Sequence, residues 1–118
     1  MKKNKILIVD DDKSSRESLK SYFEDEGYKV CVAKDGVDAL EIMKRISPDL
    51  IICDLKMPKL GGEELFYVLN GKKIKKPIIF ITAYEINSKF HDKVIAVMKK
   101  PIDIFKLNKF VSNTLSSN

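Results

Sequence analysis

Short apolar runs rich in β-branched residues recur along the 118-residue chain. They occupy residues 6–9, 30–33, 50–53, 78–81 and 94–98. The first, third and fourth runs are apolar throughout, which is typical of strands that helices bury on both faces. The pattern therefore predicts five strands of a parallel sheet.

The segments between these runs have helical period. A capping box of Ser14 and Glu17 is predicted to open the first helix, because each side chain can satisfy a free backbone N–H, and Gly27 is predicted to stop it. The second helix is expected to start at 35–36, and the third to run from 61–62 to 70–71. A fourth helix is expected at 85–92, where the pattern is weak, and a fifth after Asp103, which would be its N-cap. Helices thus alternate with the strands.

Five strand–helix units in a chain of this length predict an α/β fold, a (βα)5 doubly wound parallel five-stranded sheet. The length also predicts a single domain over residues 1–118. In such folds the functional crevice lies beyond the carboxyl ends of the strands. The residues that follow each strand are therefore the candidates for chemistry.

The strands are followed by carboxylates, one hydroxyl and lysines. In chain order these residues are Asp10, Asp11, Asp12, Asp54, Thr82, Lys99 and Lys100. Carboxylates a few Å apart must share a proton or bind a cation, and ligands that are all oxygen suit Mg²⁺. Thr and Lys can donate to a phosphoryl oxygen. This combination predicts a Mg²⁺-dependent phosphoryl-transfer site with a carboxylate nucleophile.

Four motifs stand at the ends of the predicted strands: Ile-Val-Asp-Asp at 8–11, Asp-Leu-Lys-Met-Pro at 54–58 with Gly62, Thr-Ala at 82–83 and Lys-Pro at 100–101. Together they resemble the receiver domain of two-component response regulators. The resemblance covers essentially the whole chain. It implies the flavodoxin-like strand order 2-1-3-4-5 and a sensor histidine kinase or phosphotransfer protein as partner. It also implies a signalling domain rather than an enzyme.

The same resemblance assigns the site residues. Asp54 would be the phosphoacceptor, taking the group from a phosphohistidine or from acetyl phosphate. Asp11 would bind Mg²⁺ together with Asp54 and the backbone carbonyl of Lys56, and Asp10 would act mainly through a metal-bound water. Lys100 and Thr82 would contact the phosphoryl group. By the same comparison, the bond between Lys100 and Pro101 would be cis, and Lys56 and Tyr84 would flank the site.

The chain departs from the family pattern in its fourth and fifth units. Val97 stands where the family usually has Tyr or Phe, and the segment between Thr82 and Lys100 is several residues shorter. We therefore expect phosphorylation to survive and the coupling of the Thr to an aromatic residue to be lost.

Two other functions remain open at this level. Asp10, Asp12 and Ser14 also fit the Asp-x-Asp-x-Ser nucleophile motif of haloacid dehalogenase-like phosphohydrolases, with Asp10 as nucleophile. That alternative leaves Asp54 unexplained, and no acidic pair follows Lys100. A pseudo-receiver, which binds proteins without phosphorylation, is the other alternative.

The charge of the chain is unevenly distributed. Its formal net charge is +5, but residues 1–71 carry −2 and residues 72–118 carry +7. We expect a downstream protein partner with an acidic surface at the basic 82–118 face, and association that weakens with added salt. Direct nucleic-acid binding is not expected, because the run Lys72, Lys73, Lys75 and Lys76 lacks the interleaved aromatic residues of a single-strand-binding groove. A weak homodimer through the fourth and fifth units stays open.

Cys31 and Cys53 lie inside apolar runs, which is typical of small buried hydrophobes in a reducing compartment. No apolar run approaches the ~20 residues that a membrane span needs. The sequence therefore predicts a cytoplasmic protein that does not enter the membrane.

Overall fold

The computed structural model describes residues 4–84 and 92–116. The strands in this part are β1 (Lys5–Val9), β2 (Lys29–Ala33), β3 (Leu50–Asp54), β4 (Ile78–Thr82) and β5 (Ala96–Lys99). The helices in this part are α1 (Lys13–Asp25), α2 (Gly36–Met43), α3 (Gly62–Gly71) and α4 (Ile104–Ser116). The helix predicted at 85–92 lies outside the described residues, apart from Asp92, which is in a turn.

All strand pairs are parallel, and the sheet order is β2-β1-β3-β4-β5. The predicted α/β fold class and the order 2-1-3-4-5 are therefore confirmed. β5 begins at Ala96, two residues later than predicted, although the amide of Ile95 already donates to the carbonyl of Ile78 at 2.8 Å. Within the described residues, no helix is both long and apolar enough to cross a membrane.

The three central strands, β1, β3 and β4, are buried almost throughout. Alternate side chains of a strand point to opposite faces of a sheet, so each central strand supplies two cores. Ile8 and Ile52 pack with the apolar faces of α1 and α4, while Leu7 and Phe80 pack with those of α2 and α3. Continuous apolar runs in the sequence are the direct cause of this arrangement.

The register aligns the carboxyl ends of the strands. Val9 pairs with Cys53, and Thr82 pairs with Lys99. The polar residues at or just beyond these ends therefore meet at one edge of the sheet, as the sequence predicts.

The predicted N-cap of α1 is wrong. Asp12 is the cap instead of Ser14, since the Oδ2 atom of Asp12 accepts hydrogen bonds from the amide and the hydroxyl of Ser15, at 2.9 and 2.8 Å. These bonds, the one from the hydroxyl first, lower the pKa of Asp12. The helix starts earlier than predicted because Asp12 follows the end of β1 almost at once. The predicted stop is confirmed, because Gly27 has a φ of 98° just after the helix.

The third helix ends at Gly71, as predicted, and the turn after it is made by Lys73. Lys73 has a φ of 60°, and the amide of Ile74 bonds to the carbonyl of Leu69 at 2.9 Å. This is the bonding of a Schellman motif, in which glycine usually takes the left-handed position. A lysine thus occupies a conformation that glycine adopts more readily.

The start of α3 packs directly on the end of β3. A Cβ atom on Gly62 would lie 2.5 Å from the carbonyl oxygen of Asp54 and 3.1 Å from Leu55 Cα. Both are backbone atoms, so they cannot move aside as a flexible side chain can. Close approach of α3 to the acidic edge of the sheet therefore requires glycine here.

We expect Gly62→Ala to lower the free energy of unfolding by about 1–3 kcal/mol, because the added methyl group forces α3 away from β3. Urea unfolding followed by circular dichroism measures this. Gly71→Ala is the matched control, since a Cβ on Gly71 meets nothing within 4 Å and alanine favours helix. Equal stability of the two variants would contradict the close packing.

Candidate functional site

Three carboxylates meet at the carboxyl edge of the sheet. Asp10 and Asp11 follow β1, Asp54 ends β3, and one oxygen from each lies within 4.8 Å of the others. Asp10 and Asp54 are only 3% and 6% exposed, whereas Asp11 is exposed. The sequence prediction that these three residues lie together is confirmed by the geometry.

Lys100 reaches the same cluster from the end of β5. Its Nζ atom lies 3.0 Å from Asp54 Oδ2 and 3.4 Å from Asp10 Oδ2. Its backbone amide donates to the carbonyl of Thr82 at 2.7 Å, and its peptide bond to Pro101 is cis. One ammonium group therefore stands between two buried carboxylates.

The electrostatics of these groups follow from burial and from their mutual distances. Burial raises the pKa of Asp10 and the charge of Asp54 adds to this, although the Asp12 amide and Lys100 oppose the change. For Lys100, burial alone would lower the pKa, but the hydrogen bond to Asp54 and the charges of Asp10 and Asp54 raise it overall. Lys100 is consequently protonated at neutral pH.

Backbone amides fix the orientation of the two buried carboxylates. The amide of Asp12 donates to Asp10 Oδ1 at 2.9 Å, and the amide of Lys56 donates to Asp54 Oδ1 at 3.2 Å. The second bond holds residue 56 beside the predicted phosphoacceptor. Among the described residues, the three carboxylates of the cluster against the ammonium group of Lys100 leave an excess of negative charge, and oxygen ligands of this kind fit Mg²⁺.

Thr82 is buried at the end of β4. Its Oγ1 atom accepts a hydrogen bond from the amide of Tyr84 at 3.0 Å, which leaves the hydroxyl proton available as a donor. Thr82 also lines, with Asp11, a cleft of about 930 Å³ between the β3–α3 loop and Tyr84. The predicted hydroxyl is thus at the edge where the carboxylates meet.

This cleft has aromatic walls. Tyr84 is 61% exposed, and Lys56 Nζ lies 5.9 Å from the centre of its ring, within range of a cation–π interaction. Tyr67 of α3, which is 46% exposed, lines the same cleft and was not identified from the sequence. The apolar period of α3 could have revealed it, because Tyr67 falls off the core face formed by Leu65 and Leu69.

Arg16 is the second residue that sequence reasoning missed. Its Nη1 atom donates to the backbone carbonyl of Asp10 at 2.7 Å, so it ties α1 to the end of β1. Side chains in a helix lean toward its N-terminus. An Arg in the first turn of a helix that directly follows a strand is the signal that could have identified this contact.

Cys53 borders the site without entering it. Its Sγ atom donates to the carbonyl of Asp54 at 3.3 Å, and the side chain is buried. Burial first, and then the charges of Asp54 and Asp10, raise the pKa of the thiol. A thiol that stays protonated has little reactivity, which agrees with the packing role expected from the sequence.

Comparison with known proteins gives the same family throughout. The family model of the response regulator receiver domain matches residues 6–111. "Regulator of RpoS" from Escherichia coli (strain K12) is 36% identical over 111 residues, which are 90% of this chain and 33% of that protein. "Response regulator MprA" from Mycobacterium leprae is 43% identical over 79 residues, which are 67% of this chain and 35% of that protein. The chain spans about a third of the length of these curated relatives.

Solved structures agree with the fold. The Francisella response regulator 1452 receiver domain has a TM-score of 0.87 at 28% identity, with 98% of this chain and 99% of that chain covered. Response regulator TrrA from Thermotoga maritima, solved in complex with Mg²⁺–BeF, has a TM-score of 0.80 at 30% identity, with 94% and 98% covered. The sequence match over residues 6–111 and these folds show that the chain belongs to the response regulator receiver domain family.

Proposed function

We propose that residues 1–118 act as one receiver domain in which Asp54 accepts a phosphoryl group from a sensor histidine kinase or a phosphotransfer protein. The observation that supports this most directly is the contact of Lys100 with Asp54 inside the three-carboxylate cluster. Receiver domains are signalling domains of two-component systems rather than conventional enzymes, so the expected product is a modified protein.

In the proposed step, a carboxylate oxygen of Asp54 attacks phosphorus. A new O–P bond forms, and the bond from phosphorus to the leaving nitrogen of phosphohistidine breaks. Negative charge spreads over the phosphoryl oxygens during this transfer. The protonated Lys100 would lie beside those oxygens, and the free hydroxyl proton of Thr82 would donate to one of them.

Asp11, Asp54 and the backbone carbonyl of Lys56 are the groups that we propose to hold Mg²⁺, with Asp10 acting through water. When bound, Mg²⁺ would neutralise charge on the carboxylates and on the incoming phosphoryl group. The fit is supported by the all-oxygen cluster and its excess of negative charge. TrrA, a structural relative, was solved in complex with Mg²⁺–BeF.

Phosphorylation is proposed to act on a downstream protein through the basic 82–118 face. Thr82 ends the strand that pairs with β5, and Val97 lies opposite Phe80 in that ladder. Val97 is partly buried against the α2–α3 core and is not aromatic. The change at Thr82 would therefore reach the face through β4 and β5, without rotation of an aromatic ring at 97.

We expect incubation with Mg²⁺ and acetyl phosphate to place an acyl phosphate on Asp54, because this carboxylate is oriented by the Lys56 amide and paired with Lys100. Intact-mass and peptide-mapping mass spectrometry locate the label. Asp54→Asn should abolish it. Asp12→Asn is the matched control, since asparagine also caps a helix and Asp12 is outside the carboxylate cluster.

The same experiment separates the alternatives. Label on Asp10 would favour the haloacid dehalogenase-like hydrolase, and absence of label together with absence of beryllofluoride binding would favour the pseudo-receiver. Either outcome would contradict the proposed acceptor.

We expect Mg²⁺ to raise the melting temperature of the protein, because a ligand that binds only the folded state stabilises it by about 2.7 kcal/mol at 100 times its Kd. Thermal unfolding in increasing MgCl₂ measures the shift. Asp11→Asn should reduce the shift strongly, whereas Asp12→Asn should retain it. If Mg²⁺ shifts the melting temperature of Asp11→Asn as much as that of the wild type, Asp11 is not a ligand of the metal.

The pH dependence of stability should reveal the burial of Asp10. Because its pKa is raised on folding, the folded state binds more protons above pH ~4, and the free energy of unfolding falls as pH rises through this window. Urea unfolding in EDTA, measured from pH ~4 to pH ~7, gives the free energy of unfolding as a function of pH. This free energy should change less with pH in Asp10→Asn than in the wild type.

Asp12 provides the opposite sign for comparison. Its pKa is lowered on folding, so its contribution to the free energy of unfolding is present above its ordinary pKa and is lost as pH falls through the lowered pKa. When the measurement is extended below pH ~4, Asp12→Asn should therefore reduce the rise of the free energy of unfolding with pH. Changes of the same sign in both variants would contradict the assigned environments.

A further inference from the structure

A second cleft lies at the other end of the sheet, where β4 begins. Its volume is about 500 Å³. It is lined by the last turns of α3, by residues 74–78 and by Lys93. Asp54 and Thr82 are at the carboxyl ends of their strands, so the cleft is remote from the carboxylate cluster.

The floor of this cleft is apolar. Phe66, Leu69 and Ile78 are buried in the α2–α3 core, and Ile74 packs against the same core while remaining partly exposed. Clefts of a few hundred Å³ with apolar floors and a few polar groups are typical of binding sites. The floor offers space for one apolar side chain or a short apolar segment.

The rim of the cleft is strongly positive. Lys75, Lys76 and Lys93 line it, and the exposed Lys72 and Lys73 adjoin it in the chain; we call these five residues the basic rim. Within residues 4–84 and 92–116 none of them forms an ion pair. Lys76 Nζ donates to Ser47 Oγ at 2.7 Å, and Asp92 next to Lys93 offsets one charge of the five.

The backbone that presents the basic rim is held by hydrogen bonds. The amide of Lys73 donates to the carbonyl of Asn70 at 3.0 Å, and the amide of Ile51 donates to the carbonyl of Pro77 at 2.9 Å. Lys73 has the left-handed conformation that glycine would adopt with less strain. A fixed loop loses little freedom when a ligand binds.

We propose that this cleft docks an acidic segment of a partner protein, with carboxylates paired to the basic rim and an apolar side chain on the floor. The assignment rests on charge complementarity, because several ammonium groups that have no carboxylate partner among the described residues surround an apolar surface. Lysine ammonium groups pair with single carboxylates as point charges. The proposal does not depend on phosphorylation of Asp54.

A protein segment fits this cleft better than single-stranded nucleic acid does. Nucleic-acid grooves combine positive charge with exposed aromatic rings on which bases stack. Of the described residues that line the cleft, Phe66 is the aromatic one, and it is 8% exposed. The exposed Tyr67 and Tyr84 line the cleft beside the carboxylates instead.

The test uses a fluorescein-labelled peptide in which Glu and Asp alternate with Leu, titrated with the full chain and followed by fluorescence anisotropy. We expect the double variant Lys75→Ala/Lys93→Ala to weaken binding about tenfold, since two exposed ion pairs are lost. Lys29→Ala/Lys34→Ala removes the same charge from exposed positions outside the cleft and should change binding less than about twofold. Circular dichroism checks that each variant is folded.

Two further comparisons test the chemistry. Replacing Leu by Ser in the peptide should weaken binding, because the apolar floor is then unfilled. Asp54→Asn should bind the peptide as the wild type does, which keeps this test separate from that of the phosphoacceptor. The proposal would be overturned if the Leu peptide does not bind, or if the two lysine double variants lose the same amount of affinity for it. If single-stranded DNA binds more tightly than the Leu peptide, and Lys75→Ala/Lys93→Ala weakens that binding, the assignment of the cleft to a protein partner is overturned.

Discussion

Lys100 Nζ lies 3.0 Å from Asp54 Oδ2 and 3.4 Å from Asp10 Oδ2, and this contact joins the end of β5 to the ends of β3 and β1. Without a cation, the buried carboxylates of Asp10 and Asp54, whose oxygens lie within 4.8 Å of each other, would repel each other strongly. One ammonium group offsets this only in part, because Asp11 adds a third carboxylate. The raised pKa of Asp10 reflects burial that the contact does not fully compensate. The site is therefore less stable than an apolar end of the sheet would be, and a bound dication would relieve it.

The fold produces this arrangement through register and close packing. The parallel ladders place the ends of β1, β3, β4 and β5 at one edge, so residues far apart in the chain become neighbours. Gly62 lets α3 start directly against the carbonyl of Asp54, and Arg16 ties the first turn of α1 to the carbonyl of Asp10. Asp54 is thus held on β3, and Asp10 and Asp11 are held in the short connection between β1 and α1, as positioning of reacting groups requires.

The sequence predicts the strands and the carboxylate cluster well, because continuous apolar runs and the strand-end rule have few competing interpretations. It fails where two residues satisfy the same local pattern. Asp12 and Ser14 are both good N-caps, and the hydrogen bonds that Asp12 accepts from Ser15 show that Asp12 takes this position. The end of α3 at Gly71 is predicted correctly, but the left-handed conformation two residues later falls on Lys73, where the local pattern does not indicate it. The contact of Arg16 depends on the correct helix start and could not be placed before it.

The formal net charge of +5 hides two regions of opposite charge at the two ends of the sheet. The carboxylates gather at the carboxyl edge of the sheet, and the basic rim lies where β4 begins. A five-residue strand spans about 17 Å, which is longer than the Debye length of about 8 Å at physiological ionic strength. Charge at one end is consequently screened from the other. Two elements extend from one end to the other: β4, which begins at the basic cleft and ends at Thr82, and α3, whose first residue packs on Asp54 and whose last turn lines the basic cleft. Any communication between the two ends therefore has to pass through the packing of these two elements and not through the electric field.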